Sequence, residues 1–186
     1  MNNEKAACSI LDSCERVVPV WLVLLDNIPT AVLFLLGAFI AGLVWWPLAL
    51  LMISYNLLSI ILFWNRICPH CHHFGTRACP CGYGMAASRL FKRRQGGNFR
   101  KIFKHNVAIM YPCWFVPLFA GVYLLYTVYS IAILLLFLAF LAVGLVLMPL
   151  ISRLVGCKGC TFKDQCPWMS GEPDAASAVG DDYGSV

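Results

Sequence analysis

The chain is poor in charge, and the charge it has is unevenly placed. Charged residues make up 12% of its 186 residues, whereas an ordinary soluble domain carries about 25%. Two long runs, Thr30 to Asn65 and Asn106 to Ser152, contain no Asp, Glu, Lys, Arg or His between their ends. A core of this size cannot bury a chain that is 60% hydrophobic unless lipid covers part of it. The composition therefore predicts an integral membrane protein and excludes an ordinary soluble enzyme.

Common functional signatures are also lacking. The sequence has no phosphate-cradling glycine loop, no G-x-S-x-G elbow and no HExxH pair. The two uncharged runs place no ionisable side chain at the bilayer midplane, which disfavours ion pumps. The first sixteen residues carry several charges and no long apolar stretch, so we expect no cleavable signal peptide.

The lengths of the two runs predict the fold class. A membrane-spanning helix needs about 20 apolar residues, so each run is long enough for two helices. We predict an all-α integral membrane protein whose four transmembrane helices form two hairpins, over residues 30–64 and 107–151. Residues 1–29 are predicted to be a short amphipathic segment at the interface, because Asp26 and Pro29 close its apolar part. The other predicted segments are a basic Cys/His-rich loop (65–106), a Cys-rich knuckle (152–170) and a disordered acidic tail (171–186).

The basic residues predict the orientation. Nine of the fourteen Lys and Arg residues lie in loop 65–106, and none lies in the short turns near Pro47 and Thr127. Because cytoplasmic loops carry an excess of Lys and Arg, we expect this loop in the cytoplasm, with both termini beside it. The predicted location is a prokaryotic cell membrane.

Ten cysteines indicate a site with sulfur chemistry. Two clusters share the pattern C-x2-C followed by a Cys-Pro step, each just beyond the second helix of a hairpin. A C-x2-C turn brings two thiolates close enough for one metal ion, and thiols stay reduced in the cytoplasm. The predicted ligands are Cys68, Cys71, Cys79, Cys81, Cys157, Cys160 and Cys166, and the further candidates are His70, His72, His73 and Cys113.

Three uses of these cysteines remain open at this stage. An iron–sulfur cluster is the leading prediction, because a Cys-Pro step after C-x2-C also occurs in ferredoxin motifs, and it would make the protein an electron-transfer component. Zinc is the second, and would make the protein a scaffold or assembly factor without catalysis. The third is thiol–disulfide exchange, because Cys68-Pro-His-Cys71 resembles, over four residues, the active site of periplasmic disulfide oxidants. Four-helix membrane thiol oxidases that use quinone resemble the chain in architecture.

The basic part of the loop is predicted to lie on lipid headgroups. A short helix from Phe99 to His105 would place Phe99, Ile102 and Phe103 on one face. A soluble or membrane redox partner is the other predicted occupant of this surface, and no nucleic acid is expected. The predicted headgroup residues are Arg89, Lys92, Arg93, Arg94, Arg100, Lys101 and Lys104.

Overall fold

The computed structural model describes residues 17–94 and 99–156, which form helices joined by turns and contain no β-strand. Four helical segments in these residues are long and apolar enough to cross a membrane. We call them spans 1 to 4: Val20–Val44, Trp46–His70, Phe99–Thr127 and Ile131–Leu154. For the described residues, the predicted all-helical class is thus confirmed, as is the prediction of four helices long and apolar enough to cross a membrane.

The described elements follow one another in a simple order. They are α1 (Val20–Val44), α2 (Trp46–Arg66), a 3-10 turn (Cys68–His70), α3 (Tyr83–Leu90), α4 (Phe99–Asn106), a 3-10 turn (Val107–Met110), α5 (Tyr111–Thr127), α6 (Ile131–Ala142), a π-helical turn (Val143–Leu147), α7 (Met148–Ile151) and a second π-helical turn (Ser152–Gly156).

The predicted start of the first membrane helix was wrong. We placed residues 17–29 at the interface and began the helix at Thr30, but α1 starts at Val20 and continues through Pro29. Proline lacks an N–H, and a membrane helix tolerates it where polar groups nearby satisfy the backbone. Close to this proline, Asn27 is anchored by its Nδ2, which donates to the Val23 carbonyl at 2.7 Å and to the Cys81 carbonyl at 3.0 Å. Residues 20–29 therefore belong to span 1, and residues 1–16 lie outside the described part.

The two tight turns between spans have local causes. Trp45 adopts an extended conformation (φ −161°, ψ 121°), and Pro47 lies in the first turn of α2, where its missing N–H costs nothing. At the other turn, the Ser130 hydroxyl caps α6 by accepting the Ala132 N–H at 3.3 Å. Tyr129 and Trp46 are largely exposed at these turns, as expected for side chains at a membrane interface.

Span 1 is the centre of the bundle, in contact with each of the other three spans. Spans 1 and 3 can approach closely because residue 37 is a glycine. A Cβ at Gly37 would lie 2.8 Å from Cγ of Pro117 in span 3. In span 4, a Cβ at Gly144 would lie 2.5 Å from the Trp114 ring, which fills that place instead. The middle of span 1 is consequently packed closely against span 3.

Candidate metal centre

The cysteine loop, residues 68–82, is a pair of tight turns between α2 and α3. The Cys71 N–H donates to the Cys68 carbonyl at 2.9 Å and closes the first turn. The Gly82 N–H donates to the Cys79 carbonyl at 3.1 Å and closes the second. Gly75 N–H donates to the Gly84 carbonyl at 3.1 Å, which ties the middle of the loop to the start of α3. Each turn carries one of the two cysteine pairs.

The second turn presents two sulfur atoms together. Sγ of Cys79 lies 3.6 Å from Sγ of Cys81, and the Gly84 N–H donates to Sγ of Cys79 at 3.3 Å. Two thiolates on one tetrahedral ion at a metal–sulfur distance of about 2.3 Å would lie about 3.8 Å apart. The observed spacing is thus close to that of two ligands on a single metal ion.

The Cys79–Cys81 pair retains one proton at neutral pH. The hydrogen bond from the Cys81 thiol lowers the pKa of Cys79 to about 6 against the effect of burial, with help from the Gly84 and Gly82 N–H groups. That same hydrogen bond, together with burial, raises the pKa of Cys81 well above its ordinary value. Cys79 is therefore the thiolate of the pair, which is the form that binds metal.

This pairing predicts the pH dependence of Cys79 alkylation in metal-free protein. Because the Cys79 pKa is lowered, the alkylation rate should rise through pH 6 and level off above it, as measured by mass spectrometry of the modified peptide. A Cys81→Ala variant lacks the hydrogen bond that contributes most to lowering the Cys79 pKa. The midpoint of its alkylation profile should therefore move to higher pH, toward that of an ordinary cysteine. An identical pH profile in the two proteins would contradict the hydrogen-bonded pair.

Cys68 lies in a small apolar cluster beneath the loop. Its side chain is 5% exposed and packs with Phe74 and Ala87. Cys68, Cys71, Cys79 and Cys81 all line one cavity, so the structure brings these four predicted ligands to the same end of the bundle. Within the described residues, however, no group of three or more His, Cys, Asp or Glu side chains is close enough to hold a metal ion.

The other predicted ligands fall into three groups. Cys157, Cys160 and Cys166 lie outside the described residues. Sγ of Cys113 is buried in the bundle, 3.6 Å from Oγ of Ser59, where it joins span 3 to span 2. Among the histidines, the His72 and His73 rings lie 6.3 Å apart, and His73 lines the cavity.

The loop is fixed to span 1. Gly82 has φ +72°, which favours glycine, and a Cβ there would lie 2.6 Å from Cγ1 of Val23. The Val18 N–H donates to the Arg77 carbonyl at 3.0 Å, and Asn27 reaches the Cys81 carbonyl as described above. The two sulfur atoms of the second turn are thereby held at a defined place over the start of span 1.

The apolar face of α4 packs partly against span 2. The Phe103 ring packs edge-on against Phe63 of span 2 at 6.4 Å, and both Phe99 and Phe103 line the cavity. Arg94, predicted as a headgroup residue, is exposed but donates from Nη2 to Oδ1 of Asn65 at 3.1 Å, which ties it to the end of α2. Arg89, Lys92, Arg93, Lys101 and Lys104 are exposed, and their contact with lipid headgroups stays a prediction.

Asp26 is the functional candidate that the sequence interpretation missed. It is the only acidic residue in the described part of the chain, and it lies within span 1 and lines the cavity. An ionisable side chain within a membrane helix is costly and usually functional. A signal was present in the sequence: residues 20–44 form one apolar segment long enough to span with Asp26 inside it. The sequence interpretation instead places Asp26 at the end of an interfacial segment.

No protein-family model, curated protein or solved structure matches this chain. What the protein does must therefore be inferred from the chemistry of its own residues.

Proposed function

We propose that the protein is a membrane electron-transfer component that holds an iron–sulfur centre at its cysteine loop. The observation that carries this proposal is the 3.6 Å separation of the Cys79 and Cys81 sulfur atoms, at the end of a bundle whose cavity also reaches Cys68 and Cys71. Cysteine thiolates are the ordinary ligands of such clusters. The described residues offer these four, and Cys157, Cys160 and Cys166 are the remaining candidates.

The spacing bears on the type of centre. Two cysteines share one metal ion in a [2Fe–2S] cluster, whereas each iron of a [4Fe–4S] cube takes one. A Cys-x-Cys pair with sulfur atoms 3.6 Å apart matches the first arrangement better than the second. We therefore favour a [2Fe–2S] centre over a cube.

The proposed side of the membrane is the cytoplasm of a prokaryotic cell. In this arrangement spans 1 and 2 form one hairpin and spans 3 and 4 another, with both termini and all cysteine clusters on the same side. The support is the charge distribution, with nine of fourteen basic residues in loop 65–106 and none in the two short turns. A reducing compartment also keeps the thiolates available for metal.

A zinc-stabilised scaffold or assembly factor is the second candidate. The spacing of Cys79 and Cys81 fits one tetrahedral zinc ion as well as it fits one iron. The way the loop is fastened to span 1 through Gly82 and Asn27 favours a structural role. Thiol–disulfide exchange at Cys68 and Cys71 receives less support, because Cys68 is 5% exposed and hardly accessible to a partner.

Anaerobic purification followed by metal and sulfide analysis separates the two candidates. The electron-transfer proposal predicts iron with acid-labile sulfide, a broad visible absorption that bleaches on reduction, and an electron paramagnetic resonance signal from the reduced protein. The scaffold predicts a colourless protein with stoichiometric zinc and no redox response. Protein that folds and inserts without iron or zinc would contradict both.

A further inference from the structure

The cavity beneath the cysteine loop has the size and lining of a binding site for a lipophilic molecule. Its volume is about 680 Å³, and residues from all four spans line it. Ligand sites in proteins typically occupy about 300–1,000 Å³ and are mostly apolar with a few polar groups. Aromatic rings form much of this lining, including those of Phe63, Phe103 and Trp114.

One end of the cavity carries a hydrogen-bond acceptor that the protein leaves unused. Oδ1 of Asp26 is buried and has no hydrogen-bond partner among the described residues. A buried polar group without a partner costs about 1–3 kcal/mol, and more when it is charged. Ser152 also lines the cavity beside the Asp26 carboxyl group, whose Oδ1 stays without a partner.

We infer that the cavity binds a lipid-soluble hydroquinone, whose hydroxyl group donates to Oδ1 of Asp26 and whose ring lies between the aromatic side chains. A donor suits this site because the unpartnered Oδ1 can accept a hydrogen bond. A hydroxyl is favoured over an ammonium because loop 65–106, on the same side, holds nine Lys and Arg residues and no acid, which repel a cation. The aromatic walls favour a flat ring, which stacks or packs edge-on.

The site adjoins the thiolates. Asp26 is followed by Asn27, whose side chain binds the Cys81 carbonyl, and Cys79 and Cys81 line the same cavity. Choosing a hydroquinone over another hydroxylated lipid rests on the proposed electron-transfer function. Occupation of the cavity by a hydroxyl-bearing amphiphile does not depend on that function.

The test uses the metal-loaded protein in lipid nanodiscs and a benzohydroquinone with a decyl tail. Quenching of tryptophan fluorescence should report saturable binding, since Trp114 lines the cavity. The matched probe is the dimethyl ether of the same compound, which cannot donate and should bind roughly 10- to 100-fold more weakly. An Asp26→Asn variant should weaken hydroquinone binding and leave dimethyl ether binding unchanged.

Two further variants keep the test decisive if Asp26→Asn misfolds. Leu118→Trp adds bulk to the cavity lining and should abolish binding, whereas Leu135→Trp, on a position that is 60% exposed, should not. Equal binding of the two probes to the native protein, or no saturable binding, would overturn the inference. Competition by decanol at equal strength would assign the cavity to simple alcohols and so overturn the hydroquinone.

The outcomes also separate this inference from the proposed function. Protein that carries the iron–sulfur centre but does not bind the hydroquinone would refute the ligand and leave the centre standing. Protein that binds the hydroquinone in an Asp26-dependent way but never carries iron would refute the centre and leave the cavity site standing.

Discussion

Replacing Cys79 and Cys81 together by serine is expected to remove the bound metal. The sulfur atoms of these two predicted ligands lie 3.6 Å apart, and serine oxygen is a poor substitute for a thiolate. Loss of an outer partner of a metal ligand already costs about 10- to 100-fold in affinity. We therefore expect the double substitution to lower the affinity for the metal more than about 100-fold. The measurement is the amount of metal per purified protein after dialysis against a chelator.

Two variants provide the controls for this experiment. Cys113→Ser changes a buried cysteine that bonds to Ser59 within the bundle, so metal content should stay at the level of the native protein. Gly84→Ala keeps every thiolate, but its Cβ would lie 2.7 Å from the His73 carbonyl and so disturb the N–H that reaches Cys79. It should show an intermediate loss. Full metal content in the double serine variant would contradict the assigned site.

An amine reagent that does not cross membranes is expected to leave the native protein unlabelled in intact cells. All fourteen Lys and Arg residues lie outside the two short turns, so the proposed orientation places every lysine on the cytoplasmic side. After permeabilisation the same reagent should label the protein strongly. We expect almost no labelling before permeabilisation and nearly complete labelling after it, as measured by mass spectrometry of the purified protein.

The control for orientation is Tyr129→Lys. Tyr129 is 73% exposed at the turn between spans 3 and 4, so a lysine there should react in intact cells. Labelling of native lysines in loop 65–106 from outside would place the cysteines in the opposite compartment. The argument that the thiols stay reduced would then fail.

The number of spans could be predicted because long runs of uncharged residues are a strong signal in the sequence itself. Two runs without charge, each about twice the length of one membrane-crossing helix, allow few other arrangements. The turns at Trp45 and Ser130 followed from residue types with known local preferences, a proline in the first helical turn and a hydroxyl cap.

The start of span 1 was misplaced, because polar residues within the apolar segment 20–44 suggested an end to it. Asp26, Asn27 and Pro29 together are typical of a turn, and only the approach of the cysteine loop gives Asn27 its second partner, the Cys81 carbonyl. A local pattern cannot reveal a bond between residues 54 positions apart. The same polar residues explain why Asp26 was overlooked as a membrane-embedded acid.

The candidate site was predicted at the level of residue types and only partly in its arrangement. The cysteines were identifiable from spacing, but the sequence did not show that the sulfur atoms of Cys79 and Cys81 would lie 3.6 Å apart, since C-x2-C is the more familiar ligand spacing. For α4, the amphipathic pattern was correct, but the sequence did not show that its apolar face also packs against protein. Phe103 packs against Phe63 because the end of span 2 lies beneath it.

X-ray absorption at the metal edge of the anaerobically purified protein tests the central claim most directly. The account predicts iron in a shell of sulfur at about 2.3 Å, with a second iron as neighbour, and loss of this signal in the Cys79→Ser, Cys81→Ser protein. A metal shell made of oxygen and nitrogen alone, in protein whose cysteines are intact, would contradict it.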